Sequence, residues 1–363
     1  MKPRDANVQQ ADRTPSGRLG VLDAFRAVAI LAVVAFHYLR CWAPPGNAHN
    51  LYGYHQTYSH WLSLGNLGVQ FFFMISGFVI LMTLESCRTL PEFWFRRFAR
   101  LYPAYIVVLL SSYVLSNSLG PAEISSTPAD LLGGIGLVLP NLFGGTFVDL
   151  AFWSLLVEAQ FYALVGVLFT LGRQRFVPAW IVLVTAGLVC WLLGGWTGWQ
   201  PLTLLRHPFF LLPHAAYFSA GMGFYRLYKQ ETAQGIALLA LAIVAYVIVN
   251  FSAAWSTHLV CLAMVLAFAL FLSGRLRLLE RGPLPPLGEI SYSLYLVHQN
   301  LGLILIAGFT RIGTPDLLAA AAALAVSTGV AYALNRSIEG PAKQALLRWA
   351  RGTQWWRSRQ LAF

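Results

Sequence analysis

Leu131-Leu-Gly133-Gly134-Ile-Gly136-Leu-Val-Leu-Pro140-Asn-Leu-Phe-Gly144-Gly145-Thr-Phe147 is the stretch on which the fold turns. It is apolar enough to enter a membrane. Its five glycines and one proline, however, make a poor helix, each glycine costing about 1 kcal/mol and the proline about 3 kcal/mol relative to alanine. Around it lie ten windows of a length that crosses hydrocarbon, roughly 17 to 25 apolar residues. They begin near Leu19, Trp61, Leu101, Phe152, Pro178, Pro208, Gln234, Trp255, Leu287 and Pro315. Whether the glycine-rich stretch crosses decides the orientation of every window after it.

Charge placement answers that question, because the excess of lysine and arginine stays in cytoplasmic loops. If the stretch does not cross, 21 of the 25 lysines and arginines fall inside, and only Arg40, Arg206 and Arg311 outside, with Arg26 within the first span. If it crosses, thirteen of those inside charges move outside. The expected fold is therefore an all-α polytopic membrane protein with about ten transmembrane helices, cytoplasmic N and C termini, and one Gly/Pro-broken non-crossing segment near 131–147. Irregular backbone at that depth must be covered by protein or line a cavity. Three parts are expected: a cytoplasmic segment 1–18, a membrane domain 19–335, and a basic amphipathic tail 336–363 resting on the anionic inner leaflet.

Composition agrees: 57% of residues are hydrophobic and 11% charged, which excludes a water-soluble domain. The net charge of +11 is mostly topological and calls for no nucleic acid. Seventeen mostly polar residues precede the first apolar run and no small-residue cleavage site follows it, so an uncleaved anchor is expected. Cys41, Cys87, Cys190 and Cys261 are scattered, which predicts neither disulfide nor metal site. His49, His55 and His60 in the first outer loop fit no familiar metal spacing either.

Ionisable residues inside the spans are the candidates for function. Arg26 and His37 are eleven residues apart in the first span, which puts them on one helical face with a rise of about 16 Å. Ser154, Glu158 and Tyr162 repeat at i, i+4, i+8 on the fourth span, and helical rise puts Glu158 at a depth like that of His37. Ser291, Tyr295 and His298 form a similar stripe on the ninth. Each has a plainer explanation: interhelical hydrogen bonds account for Tyr295 and His298 equally well, and Glu158 could be a neutral structural donor. Arg96, Arg97 and Arg100 gather three guanidiniums at the inner mouth of the third span. Their forks suit phosphate oxygens, although topology alone also demands arginines there.

Five motifs occur in order: Leu22-Asp23-x-x-Arg26-x10-His37; Phe71-Phe-Phe-Met-Ile-Ser76-Gly77-Phe78; Arg96-Arg97-x-x-Arg100-x-Tyr102-Pro103; Trp153-Ser154-Leu-x-x-Glu158-x-x-Phe161-Tyr162; and Ile290-Ser291-Tyr-Ser-Leu-Tyr295-Leu-x-His298. Together they resemble the membrane acyltransferase 3 family, which O-acylates lipopolysaccharide, exopolysaccharide, peptidoglycan, nodulation factors and macrolides. The resemblance covers nearly the whole chain. Ala27 stands where the family usually has a glycine after the first-span arginine.

The resemblance implies a membrane-bound O-acyltransferase of the bacterial inner membrane that uses acyl-CoA, usually acetyl-CoA, with no metal. By it, His37 is the essential first-span histidine and Arg26 its companion, with Glu158 as candidate to orient the histidine or hold a sugar hydroxyl. Arg96, Arg97 and Arg100 engage the donor, with Ser76 and Tyr102 beside them. Ser154, Tyr295 and His298 are left for the acceptor. Some family members carry a further extracytoplasmic hydrolase-like domain, and none is expected here. His37 is expected to act as general base, with an acyl-imidazole route open as well. The expected acceptor is a carbohydrate or lipid-linked glycan, consistent with Trp191, Trp196 and Trp199 in one outer loop and Tyr52, Tyr54, Tyr58 and Trp61 in another, although an interfacial aromatic belt explains these equally well. A macrolide-like small acceptor is the alternative within the class. A transporter or flippase is the alternative outside it, but no internal repeat supports that reading.

Overall fold

The computed structural model describes residues 19–41, 51–52, 59–87, 89–137 and 145–353. The segment 1–18, the heart of the glycine-rich stretch, His49, Tyr54, His55, Tyr58 and the end of the basic tail lie outside the described residues. Every described element is helical, and nine helices among these residues are long and apolar enough to cross a membrane. The all-α polytopic architecture expected from the apolar windows is the architecture found.

Helix α1 (Gly20–Phe36) runs on through a π turn, His37–Cys41. Helix α2 (Gly68–Ser86) follows a 3-10 turn, His60–Leu67, in which the Trp61 N–H donates to the Ser59 hydroxyl. Helix α3 (Leu90–Leu119) begins at Thr89, whose hydroxyl accepts from the Glu92 N–H, with Pro91 in the first turn, where the absent N–H costs nothing. After the short α4 (Pro128–Ile135) come α5 (Trp153–Phe169), α6 (Arg173–Thr197) and the single turn α7 (Gln200–Thr203). Then follow α8 (Ala215–Tyr228), α9 (Thr232–Asn250) and α10 (Trp255–Leu272). The chain ends in α11 (Leu284–Glu289), α12 (Ser291–Arg311), α13 (Asp316–Leu334) and α14 (Gly340–Gly352).

The window beginning near Pro208 folds as α8, only 14 residues long, approached through 3-10 turns at Leu204–Arg206 and Leu212–His214. Pro208 and Pro213 cannot donate helical hydrogen bonds, so the outer part of this span stays irregular. Protein must therefore satisfy its backbone. The Gln160 amide does so from α5, donating to the Phe209 carbonyl at 2.8 Å and accepting from the Leu211 N–H at 3.1 Å. Helix α8 is buried between α2 and α9. Its approach to α2 is close enough that a Cβ on Gly77 would run into the Phe218 carbonyl oxygen, and one on Gly221 into that of Met74. Small residues at such crossings are how membrane helices gain van der Waals contact.

The α4 region enters and returns on one side. It starts beside the far end of α3, where the Ser126 N–H donates to Asn117. Its last turn is fastened to the middle of α3, with Tyr105 Oη donating to the Gly134 carbonyl at 2.8 Å and Tyr102 Oη to that of Ile135 at 2.9 Å. Tyr102 is twelve residues into α3, a descent of about 18 Å from Leu90. The chain then comes back to Asp130, which accepts from the Thr146 N–H and caps α4 reciprocally with Thr127. Burial raises the Asp130 carboxyl, but the Thr146 and Thr127 amides and the Thr127 hydroxyl outweigh it and hold the group below the usual carboxylate range. The return leg is tied in by Asn300, which donates to the Val148 carbonyl at 2.8 Å.

At the end of the bundle where α1 begins, Arg226 is completely buried and its Nη1 lies 2.6 Å from both Glu85 and Glu231, while Tyr225 donates to Glu85 at 2.9 Å. Arg173 adds a second cation to the same carboxylates. This network joins α2, α6, α8 and α9. Residues 316–352 form one continuous helix through a π turn at Asn335–Glu339. Helix α14 packs on the first turns of α3, with the Trp349 and Phe95 rings 6.2 Å apart.

Replacing Gly221 with alanine forces α2 and α8 apart. Overpacking of this kind costs about 1–3 kcal/mol. The thermal unfolding midpoint of the Gly221→Ala protein in detergent is expected to fall below that of the parent, and Gly308→Ala, where a Cβ meets open space, is expected to leave it unchanged.

Candidate functional site

Five helices, α1, α2, α3, α5 and α12, line a partly open cavity of about 720 Å³. Its wall gathers most of the polar residues singled out from the sequence: Arg26, Ser76, Arg97, Arg100, Ser154, Glu158, Ser291 and Tyr295. The i, i+4, i+8 spacing on α5 explains why Ser154, Glu158 and Tyr162 all face it. Toward the arginine end the cavity meets a wider vestibule of about 1400 Å³, and Arg26, Val79, Arg97 and Arg100 line both. Arg96 and Lys343 line the vestibule only.

The arginines differ in their partners. Arg26 is paired with the buried Asp23 at 2.6 Å. Arg96 leans back on Glu92, one helical turn earlier. Arg97 is only 8% exposed, lies against the rings of Phe93 and Tyr162 at 5.8 and 5.9 Å, and its Nε has no hydrogen-bond partner. Among the described residues, no carboxylate lies within ion-pair distance of Arg97 or Arg100. The three guanidiniums expected as one patch thus divide, two turned into the cavity and one held at its rim. Their division follows from α3 itself, since Arg97 and Arg100 are i, i+3 neighbours while Arg96 finds Glu92 at i−4.

Glu158 accepts a hydrogen bond from Ser76 Oγ at 2.6 Å, which joins α5 to α2 across the cavity. Ser154 Oγ and Tyr295 Oη are 2.7 Å apart, and both reach the Ala151 carbonyl. Tyr295 also packs edge to face against Phe72, ring centroids 6.0 Å apart. His37 does not line the cavity. It lies beyond Tyr295, with its Nδ1 2.9 Å from the Val33 carbonyl and 3.2 Å from Nε2 of His298, which is itself fully buried. The ring of His37 is therefore oriented by Val33 and His298, and the hydrogen bonds of Glu158 lead elsewhere.

Tyr102, grouped with the donor residues in the sequence, lines an apolar groove of about 900 Å³ between α3 and α5 that adjoins the cavity, with Arg97, Leu101, Tyr162 and Tyr292 lining both. Tyr162, Tyr292 and Glu339 were not singled out as site residues. Tyr162 and Tyr292 line the cavity, and Tyr292 donates to the Leu101 carbonyl at 2.8 Å. Glu339 borders the vestibule and accepts from Ser293 at 2.8 Å and Asn335 at 3.0 Å. The i+8 position of Tyr162 was a usable signal; Glu339 had none, because it follows the last apolar window. No group of three metal-ligating side chains occurs among the described residues.

The profile of a family described as an acyltransferase domain matches residues 19–336. The O-acetyltransferase OatA of Staphylococcus aureus strain NCTC 8325 is 30% identical over 177 residues, 44% of this chain and 26% of that protein. A putative O-acetyltransferase of Staphylococcus aureus strain COL is 32% identical over 157 residues, 39% of this chain and 23% of that protein. The chain spans about a quarter of the length of these curated relatives. No solved structure matches.

A buried cation without a counter-charge destabilises the fold that holds it. Arg97→Met, close in length and free of charge, is expected to keep or raise the thermal midpoint. Glu85→Ala, which strips a carboxylate from buried Arg226, is expected to lower stability by about 3–5 kcal/mol. Thermal unfolding of both variants in the same detergent checks the contrast.

Proposed function

The chain belongs to the acyltransferase 3 family, and from that premise we propose that it transfers an acetyl group from cytoplasmic acetyl-CoA to a hydroxyl of a cell-surface or exported carbohydrate, with His37 as general base. The observation that carries this reading is Arg97: a buried guanidinium facing a cavity with, among the described residues, no carboxylate within ion-pair distance, Glu158 on the same wall being bonded to Ser76 instead. Such a group is retained where a ligand supplies the anion, and guanidinium forks match phosphate oxygens. The nucleotide end of the donor would occupy the vestibule, between Arg97, Arg100 and the rim residues Arg96 and Lys343. Its thioester arm would run past Arg26 and Glu158.

Group transfer then breaks the thioester C–S bond and forms a C–O bond to the acceptor. His37 takes the hydroxyl proton and passes it to the departing thiolate. Glu158, fixed by Ser76, is the acceptor available inside the cavity for a polar group of either substrate. Phe72 and Tyr295 line the cavity, Tyr295 abuts His298 and His298 bonds His37, so the imidazole lies outside the cavity wall that the thioester must pass to reach it. The O-acetyltransferase names of the relatives support acetyl as the group transferred. The nine apolar helices fit the bacterial inner membrane as the site of action, where a cytoplasmic donor and an exported acceptor meet.

Transfer of label from acetyl-CoA by the protein in proteoliposomes tests the reading, with mass analysis of host surface glycans identifying the acceptor. His37→Ala is expected to abolish transfer while the protein still folds, and normal turnover would refute the role of His37. Arg97→Ala is expected to raise the apparent KM for acetyl-CoA by at least about tenfold, the cost of one charge-assisted contact, with the acceptor KM unchanged. Arg96→Ala, already engaged with Glu92, is expected to change donor saturation less. An unchanged donor KM in Arg97→Ala would contradict the phosphate role.

A further inference from the structure

We infer that His298 is a positioning residue that holds His37 in the tautomer protonated on Nδ1, leaving the lone pair of Nε2 as the basic site. The inference rests on the reading of His37 as the base and adds which nitrogen acts and what selects it. It follows from a chain of donors and acceptors that begins at a backbone carbonyl.

A carbonyl oxygen can only accept. His298 Nδ1 lies 2.7 Å from the Tyr295 carbonyl, so the His298 proton is on Nδ1. A neutral imidazole has one N–H, which makes His298 Nε2 an acceptor. His37 Nδ1 faces that Nε2 at 3.2 Å and the Val33 carbonyl at 2.9 Å, two acceptors at once. His37 Nδ1 must therefore carry the proton and share it, and its Nε2 is left free. A doubly protonated His298 would set an N–H against the N–H of His37, so the arrangement requires a neutral His298.

The surroundings keep His298 from turning over. It is fully buried on α12, and its own carbonyl accepts from Tyr38 Oη at 2.9 Å, which also meets Ser327 at 3.0 Å. The two imidazoles meet edge to face, centroids 4.9 Å apart. The π turn that opens at His37 interrupts the regular α-helical pattern at this point, a distortion frequent at functional positions. When His37 Nε2 takes a proton from an alcohol, the new imidazolium keeps two acceptors on Nδ1, the Val33 carbonyl and His298. A neutral histidine does this without placing a permanent anion in the bundle, whose burial would cost several kcal/mol.

The test is direct observation of the ring nitrogens. The full-length protein, labelled with 15N-histidine and placed in nanodiscs, is examined by NMR, and the His37 signals are identified by their loss in His37→Asn. The expected result is a protonated Nδ1 and an unprotonated Nε2 on His37. A proton on Nε2 in the parent protein overturns the inference. In His298→Phe, which keeps a ring but has no acceptor, His37 is expected to show both tautomers and kcat to fall about tenfold at unchanged KM for donor and acceptor. His298→Gln, whose Oε1 can accept from Nδ1, is expected to restore the single tautomer and most of kcat. Unaltered tautomer and turnover in His298→Phe also overturn it. If His298→Phe fails to fold, the parent spectrum and the Gln variant still decide. A parent protein with the expected nitrogen signals but no acetyl transfer would refute the proposed function and leave the tautomer assignment intact.

Discussion

Hydrocarbon offers no hydrogen-bond partner, so a polar side chain that enters the bilayer must find one inside the protein or await one from a ligand. That constraint orders this molecule. Asp23 holds Arg26, Glu92 holds Arg96, Glu85 and Glu231 hold Arg226, Ser76 holds Glu158, and His298 holds His37. Most of these bonds join different helices, so satisfying the polar groups also fixes the bundle. Arg97, which is buried, and Arg100 have no carboxylate within ion-pair distance among the described residues, and the anion that shares their cavity wall is Glu158, bonded to Ser76.

The two sides of the cavity are held by different physics. Behind α2 the packing is dry and close: glycines at the α2–α8 crossing, and the rings of Phe25, Phe71, Phe78 and Phe268 within 6.1 Å of one another in successive pairs. On the α3 side, the returning segment hangs on individual hydrogen bonds from Tyr102, Tyr105 and Asn300 to backbone carbonyls. Close packing is stiff, whereas a segment held by a few bonds can move by giving up one at a time. The rigid side therefore sets the geometry of Ser76 and Glu158, and the adaptable side borders the apolar groove.

The spans were legible because length and hydrophobicity are properties of one segment at a time. The weak helix-forming character of the glycine-rich stretch was legible locally from its glycines and proline, whereas the expectation that it does not cross rested on the arginine balance of the whole chain. The span near Pro208 shows the limit. Its apolar length reads as a full helix, yet two prolines shorten it, and only tertiary burial by α2, α9 and Gln160 makes that tolerable. Likewise the basic residues after 335 gave no sign that the helix runs on to Gly352. Pairings were harder still. Helical rise placed Glu158 and His37 at one depth, but depth says nothing of position around the bundle axis. Glu158 meets a serine 82 residues away and His37 a histidine 261 away.

The separation of His37 from the cavity has a physical logic of its own. A continuous polar passage from the vestibule, past three guanidiniums and a carboxylate, to an imidazole nearer the opposite end would carry protons and ions down any membrane potential. Moving one charge through 100 mV is worth about 2.3 kcal/mol, so such a leak would run continuously. Phe72 and Tyr295 put aromatic edges on the cavity wall, and the Tyr295 hydroxyl is occupied by Ser154 and Ala151. Tyr295 also abuts His298, ring centroids 5.3 Å apart, and its carbonyl fixes the His298 proton. A residue of the cavity wall is thus the one whose backbone begins the hydrogen-bond chain to His37.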